Sequence, residues 1–178
     1  MDDKKEMIAE LTNTAWSLIN EYETEYADST ISLQEAQQLA KERVAQIRYG
    51  SEQKDYFWII DETPTMIMHP YRPELIGTDL NNYYDPNGYK LFVEATKVVK
   101  EKEEGFIDYM WQWKDDSTKV VPKLSCVKSF QPWGWIVGTG IYLDDVEEEI
   151  SSLKNSLLII SLIIAFIIAL ILFYVVRQ

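Results

Sequence analysis

The spacing of apolar residues divides the chain into stretches with a period near 3.6 and stretches with a period of two. Near the N-terminus Ile8, Leu11, Ala15, Leu18 and Tyr22 recur at alternating intervals of three and four, the seam of a helix that packs on a sheet or on a second copy of itself. A second helix starts at Ser32, where Glu35 completes a capping box, and puts Leu33, Ala36, Ala40, Val44 and Ile47 on one face before Tyr49-Gly50. The period then changes. Tyr56 to Asp61 and Met66 to His69 read as strands around the turn Glu62-Thr63-Pro64. Asp85-Pro86 reads as the N-cap and first turn of a helix carrying Leu91, Phe92, Ala95, Val98 and Val99, which Gly105 ends. Three strands follow, Phe106 to Trp113, Val120 to Phe130 and Trp135 to Tyr142. Their connections, Lys114 to Ser117 and Gln131 to Gly134, are short enough to require antiparallel pairing. Asp144 to Lys154 is helical again, with Val146, Ile150 and Leu153 on one face, and no breaker ends it.

Leu157 to Val176 then gives twenty residues with Ser161 as the sole polar one and no charge. At about 1.5 Å per residue such a helix matches the roughly 30 Å hydrocarbon layer of a bilayer. The expected fold class is therefore α+β: a PAS-like five-stranded antiparallel sheet with long N-terminal helices, plus a C-terminal transmembrane helix. The expected divisions are a helical stalk and capping helix at 1–50, the sheet domain at 51–143, a juxtamembrane helix at 144–156 and the membrane helix at 157–176, in contact with lipid. The charged start Met1-Asp2-Asp3-Lys4-Lys5-Glu6 is not a signal peptide. With only Arg177 and Gln178 beyond the span, the chain reads as a piece of a longer protein that lacks a first membrane helix. Read as complete, it would be a tail-anchored protein with a cytoplasmic domain. Lys154 and Arg177 on the two flanks leave the orientation open.

Composition removes several function classes. A formal charge of −12 leaves no basic stripe for nucleic acid. One cysteine, Cys126, and one histidine, His69, exclude an intrachain disulfide and a Cys-rich zinc site, and nothing around them repeats a Cys-His nucleophile pattern. The oxygen-rich run Asp79 to Gly88 lacks EF-hand spacing and serves as turn and cap. Gly138-Thr139-Gly140 lies inside a strand and is not a phosphate loop. No catalysis, cofactor or metal is expected. An assembly or adhesion domain without a ligand is a third class that composition leaves open.

Seven blocks carry a family resemblance: Asp55 to Asp61 (DYFWIID), Met66 to Pro70 (MIMHP), Pro73 to Gly77 (PELIG), Asp85 to Gly88 (DPNG), Gly105 to Trp111 (GFIDYMW), Pro122 to Ser125 (PKLS) and Pro132 to Val146 (PWGWIVGTGIYLDDV). In this order they resemble the single Cache domain of bacterial and archaeal chemoreceptors and sensor kinases. The resemblance implies an extracytoplasmic sensor between two membrane helices in the cell membrane, a homodimer through the first helix, and beyond Gln178 a cytoplasmic signalling domain of the chemoreceptor type or, alternatively, of a histidine kinase or cyclic-dinucleotide enzyme. It also implies a small-molecule ligand, with short-chain carboxylates favoured over amines, amino acids or purines. Cys126 stands where relatives carry tyrosine, and Gln112-Trp113-Lys114-Asp115 replaces a Pro-Lys-Pro-Gly-like turn.

A buried carboxylate must be met by a cation or by several hydrogen-bond donors. Strand alternation puts Lys123 and Ser125 on one face and Cys126 and Lys128 on the other. The resemblance selects Lys123 for the pocket and leaves Lys128 to solvent. Tyr109 and Trp111 share a face of the preceding strand and offer a hydroxyl and an indole N–H, although core packing alone also accounts for Trp111. His69 can donate to an anion or hold its loop. Trp58, Met66, Met68 and Tyr83 complete the expected walls.

Overall fold

The computed structural model describes the backbone of residues 1–177, and their side chains apart from those at 145–149, 152 and 169–176. The chain divides into two units, Met1–Tyr142 and Leu143–Gln178. In the first, helices α1 (Asp2–Ala27) and α2 (Leu33–Gln46) precede strands β1 (Phe57–Asp61) and β2 (Met66–Met68). Helix α3 (Leu91–Lys102) and strands β3 (Glu104–Trp113), β4 (Asp116–Phe130) and β5 (Trp135–Tyr142) follow. The strands form one sheet in the order β2-β1-β5-β4-β3, with every neighbouring pair antiparallel.

Each face of this sheet is covered. On one face Phe57, Ile59, Met68, Phe130, Trp135 and Val137 pack beneath α1 and α2. On the other, Tyr56, Trp58, Ile60, Tyr109 and Trp111 pack with α3 and with the long segment between β2 and α3. The alternation Tyr56, Trp58, Ile60 against Phe57, Ile59 produces this division within β1.

Local chemistry moves several boundaries from their expected places. The buried stripe of α1 is Ile8, Thr12, Ala15 and Ile19, one position round from the expected seam, so Leu11, Leu18 and Tyr22 sit at its margin. Thr12 is tolerated there because its hydroxyl donates to the Ile8 carbonyl at 2.7 Å. Ser32 caps α2 as expected, accepting from the Glu35 N–H at 3.2 Å. That helix stops at Gln46, since Tyr49 turns back to pair with Asp55. Gly50, at φ +77°, makes this turn, and a Cβ there would lie 2.0 Å from the Asp55 carboxylate. The β3–β4 connection is tighter than the sequence suggests. Trp113 pairs with Asp116, and Lys114 takes a positive φ of 50° in a two-residue turn without glycine.

Asp85 is not the N-cap of α3. Lys90 holds that place without a side-chain cap. The Asp85 carboxylate instead accepts from the N–H groups of Asn87 at 2.9 Å and Tyr89 at 2.8 Å with one oxygen, and from Met110 of β3 at 2.9 Å with the other. It fastens the loop before α3 to the edge strand of the sheet.

In the second unit a single helix, α4, runs from Leu143 to Val176. Every side chain from Leu157 to Ile168 is exposed. Among the described residues no helix is long and apolar enough to cross a membrane. The side chains of 169–176 in the expected span, and of Val146 on the expected juxtamembrane face, lie outside those described.

Removing the Asp85 carboxylate leaves three backbone donors unpaired. Asp85→Ala is expected to cost about 2 kcal/mol, lowering the thermal midpoint by roughly 4–8 °C for a chain of this size. Thermal unfolding followed by circular dichroism checks this, and an unchanged midpoint would show that the loop is held by packing alone.

Candidate functional site

Three neighbouring strands bring Tyr109, Lys123 and Tyr142 into one row, because β4 pairs Lys123 with Tyr109 of β3 on one side and with Tyr142 of β5 on the other. All three point to the α3 side of the sheet. Lys123 is only 1% exposed. Its Nζ lies 4.1 Å from the centre of the Tyr56 ring and 4.7 Å from that of Tyr142, and donates to the Tyr142 hydroxyl at a long 3.4 Å. Among the described residues no carboxylate forms an ion pair with it. Ring faces contribute roughly 0.5–2 kcal/mol to a cation, whereas burying an ammonium costs several kcal/mol. The cost wins: burial pushes the Lys123 pKa down to about 7, with Asp55 opposing through space.

His69 follows β2 and is buried against Tyr56, with ring centres 4.8 Å apart, and against Trp111 at 5.6 Å. Its Nδ1 accepts the backbone N–H of Tyr71 at 3.1 Å. That bond fixes the neutral tautomer with its proton on Nε2, and Nε2 has no partner among the described residues. Burial first, then Lys123, Arg72 and Arg48, hold the His69 pKa well below the ordinary imidazole value, so His69 is a neutral donor. Tyr56 OH and Trp58 Nε1 are likewise buried without a partner among the described residues, and Trp58 adjoins the Tyr109 hydroxyl without hydrogen-bond geometry. Tyr142 and Trp111 adjoin the Tyr56 hydroxyl without hydrogen-bond geometry. Burial raises the pKa of Tyr56, Tyr109 and Tyr142, which keeps these phenols protonated. The face therefore offers a buried amine, an imidazole N–H, an indole N–H and phenolic hydroxyls, and among the described residues no carboxylate is paired with them.

Two glycines of β5 make room for these groups. A Cβ at Gly138 would lie 2.4 Å from the Trp58 ring, and one at Gly140 would lie 2.3 Å from Ser125 Oγ. Ser125 Oγ in turn bonds the Tyr109 hydroxyl at 2.9 Å. The Tyr142 hydroxyl accepts from the Lys114 N–H at 2.8 Å and donates to the Gln112 carbonyl at 3.1 Å.

The structure brings Lys123, Tyr109, Trp111, His69, Trp58, Met66 and Tyr83 to this side of the sheet. Met68 is not among them. A register shift between Ile59 and Ile60 turns it to the opposite face, where it packs with Phe57 and Ile59. Cys126 is also on that face, within reach of Thr12 of α1. Lys128 lies there too and is not simply solvated, since it bonds Asn13 at 2.5 Å and pairs with Glu104 at 2.9 Å. Sequence reasoning missed Tyr56 and Tyr142. Tyr56 stands two residues before Trp58 and shares its face, which was readable; the pairing of Tyr142 with Lys123 depends on register, which was not.

Beside the donors lies a cleft of about 300 Å³, lined by Arg72, Tyr83, Tyr84, Asp85, Met110, Trp111 and Gln112, among others, with the Asp85 carboxylate engaged by the N–H groups of Asn87, Tyr89 and Met110. Trp111 and Tyr83 belong both to its wall and to the buried cluster. Arg72 lies over the Trp111 ring at 5.6 Å and pairs with Glu74.

The His69 assignment has a direct check. Nitrogen-15 NMR of labelled chain is expected to show the Nε2-protonated neutral ring throughout pH 6 to 8, without a titration step. An inflection near the ordinary imidazole pKa of about 6.5 would contradict it.

Comparison with known proteins bears on the family and the fold. Residues 1–155 match the model of the family single Cache domain 2. The methyl-accepting chemotaxis protein McpP of Pseudomonas putida is 35% identical over 175 residues, which are 98% of this chain and 32% of the relative. The sensor histidine kinase MctS of Rhizobium johnstonii is 34% identical over 143 residues, 80% of this chain and 30% of the relative. The chain thus spans about a third of the length of the curated relatives it matches. A solved periplasmic sensor domain of a chemotaxis protein is 38% identical with a TM-score of 0.76, covering 79% of this chain and 96% of that one. A Cache chemosensory domain solved for the structural basis of its carboxylic acid recognition has the same identity and TM-score, covering 79% and 94%. The chain belongs to the single Cache domain family, whose relatives here are methyl-accepting chemotaxis proteins and sensor histidine kinases.

Proposed function

We propose that this domain senses a small carboxylate outside the cytoplasm and that α4 carries the response into a membrane. The carrying observation is the sign of the site: Lys123, His69 Nε2, Trp58 Nε1 and Tyr56 OH are donors, buried and short of partners. A carboxylate supplies up to four acceptor lone-pair sites for such a set. An amine would need an acidic acceptor, and the site has none within ion-pair range of Lys123. The recognition of carboxylic acids by a Cache domain 38% identical to this one supports the same reading. The cleft at Trp111 and Tyr83 is the approach, and Trp111 must yield for a ligand to reach Lys123.

The periplasmic neighbour and the receptor relatives support an extracytoplasmic domain of a membrane protein. The exposed apolar run from Leu157 to Ile168 supports lipid as its surroundings, with the span extending over 157–176. A homodimer through α1 and an output module of the chemotaxis or kinase type complete the reading. The near-equal identities of McpP and MctS favour neither output over the other.

A thermal-shift screen of the full chain against acetate, propionate, pyruvate, amino acids, amines and purines tests this. A carboxylate at 100 times its dissociation constant is expected to add about 2.7 kcal/mol, and Lys123→Met is expected to abolish the shift. Stabilisation by amines or purines alone, or a carboxylate shift that survives Lys123→Met, would overturn the assignment.

A further inference from the structure

Lys123 raises a question about protons that the carboxylate reading, on which this inference rests, leaves unanswered. Its amine is fully buried, rests on two aromatic faces, and has one long contact, to the Tyr142 hydroxyl. Tyr56, just before β1, Tyr109 of β3 and Tyr142 of β5 are protonated phenols. His69, after β2, is a neutral ring. Helix α3 presents Leu91, Phe92, Ala95 and Val99. Asp55 is the charge that acts on Lys123, and it offsets burial only in part. Among the described residues only Asp55 compensates an ammonium, and only in part, whereas a bound carboxylate would do so directly.

We propose that the site binds its anion together with one proton, which the buried Lys123 amine takes up as the carboxylate arrives. The balance is simple: water or buffer gives up a proton, one N–H bond forms at Nζ, and the anion supplies the opposite charge. The sensor would therefore read the carboxylate concentration multiplied by the protonated share of Lys123. It would respond most strongly to a carboxylate in neutral or acidic surroundings and lose sensitivity in alkaline ones.

The sign follows from the cause. Before the anion binds, the Lys123 pKa is about 7. Beside an anion it rises. Below the lower value the amine is already charged and affinity is flat; above it, affinity falls as pH rises, by up to tenfold per unit. The ligand stays ionised throughout, since carboxylic acids titrate near pH 4.

The experiment is calorimetric titration of the full chain with acetate, propionate and pyruvate from pH 6 to pH 9, in buffers of different ionisation enthalpy. The dissociation constant is expected to weaken about 100-fold across that range, with close to one proton taken up per ligand at pH 8.5 and few at pH 6. His69→Gln is expected to bind more weakly with the same slope above pH 7, which separates Lys123 from the imidazole. Lys123→Arg, charged at every pH tested, is expected to lose the slope where it binds. A carboxylate that binds with constant affinity and buffer-independent heat would overturn the proton coupling and leave the carboxylate reading intact. No binding by any carboxylate at any pH would overturn both.

Discussion

A lysine amine buried without an ion-pair partner among the described residues is the constraint around which this domain is arranged. An ammonium held in a low-dielectric interior costs several kcal/mol, more than two tyrosine faces return. Lys123 is tolerated because the rows of β3, β4 and β5 pack around it from both sides, so its position is set by backbone pairing rather than by its own charge. The result is a group held in an unfavourable setting by the stability of the sheet. On the proposed reading an incoming anion improves that setting, and this is where a small ligand acquires leverage.

The surroundings serve the same end. Gly138 and Gly140 flatten β5 beneath Trp58 and Ser125, where any Cβ would collide with them. Asp85 then fastens the covering loop to β3 through three backbone N–H groups. The opposite face, under α1 and α2, is largely apolar packing with polar groups satisfied at its margins, as in Trp16 bonding the Ser129 carbonyl at 2.8 Å. One face is apolar packing, and the other carries the buried donors.

What could be read from the sequence follows this division. Periodicity located the four helices and five strands because burial on one side of each element imposes it. Alternation put Lys123 and Lys128 on opposite faces of β4, and resemblance chose between them. What escaped depended on pairing or on local hydrogen bonds. Met68 was lost to a register shift, Tyr142 to an unknown register, and Asp85 to a carboxylate that reaches across to β3 instead of capping the next helix. Thr12 escaped because a polar residue that satisfies its own hydroxyl behaves as a core residue. These are interactions between segments, and a single sequence carries little trace of them.

Leverage at Lys123 must still reach the rest of the molecule, and on the proposed reading Tyr142 is where it does so. A ligand shifts a two-state element only by its differential affinity for the two states. The Lys123 amine rests 3.4 Å from the Tyr142 oxygen, while that oxygen also joins Gln112 and Lys114 at the end of the β3–β4 hairpin. An anion drawing the amine towards His69 and Tyr56 competes with this contact. Tyr142 is also the last residue of β5, and α4 begins at Leu143. Tyr109, by contrast, is held by Ser125 within the middle of β4, so a change there is absorbed by the sheet. Of the two tyrosines flanking Lys123, Tyr142 stands at the end of its strand, where no further strand pairing absorbs a displacement.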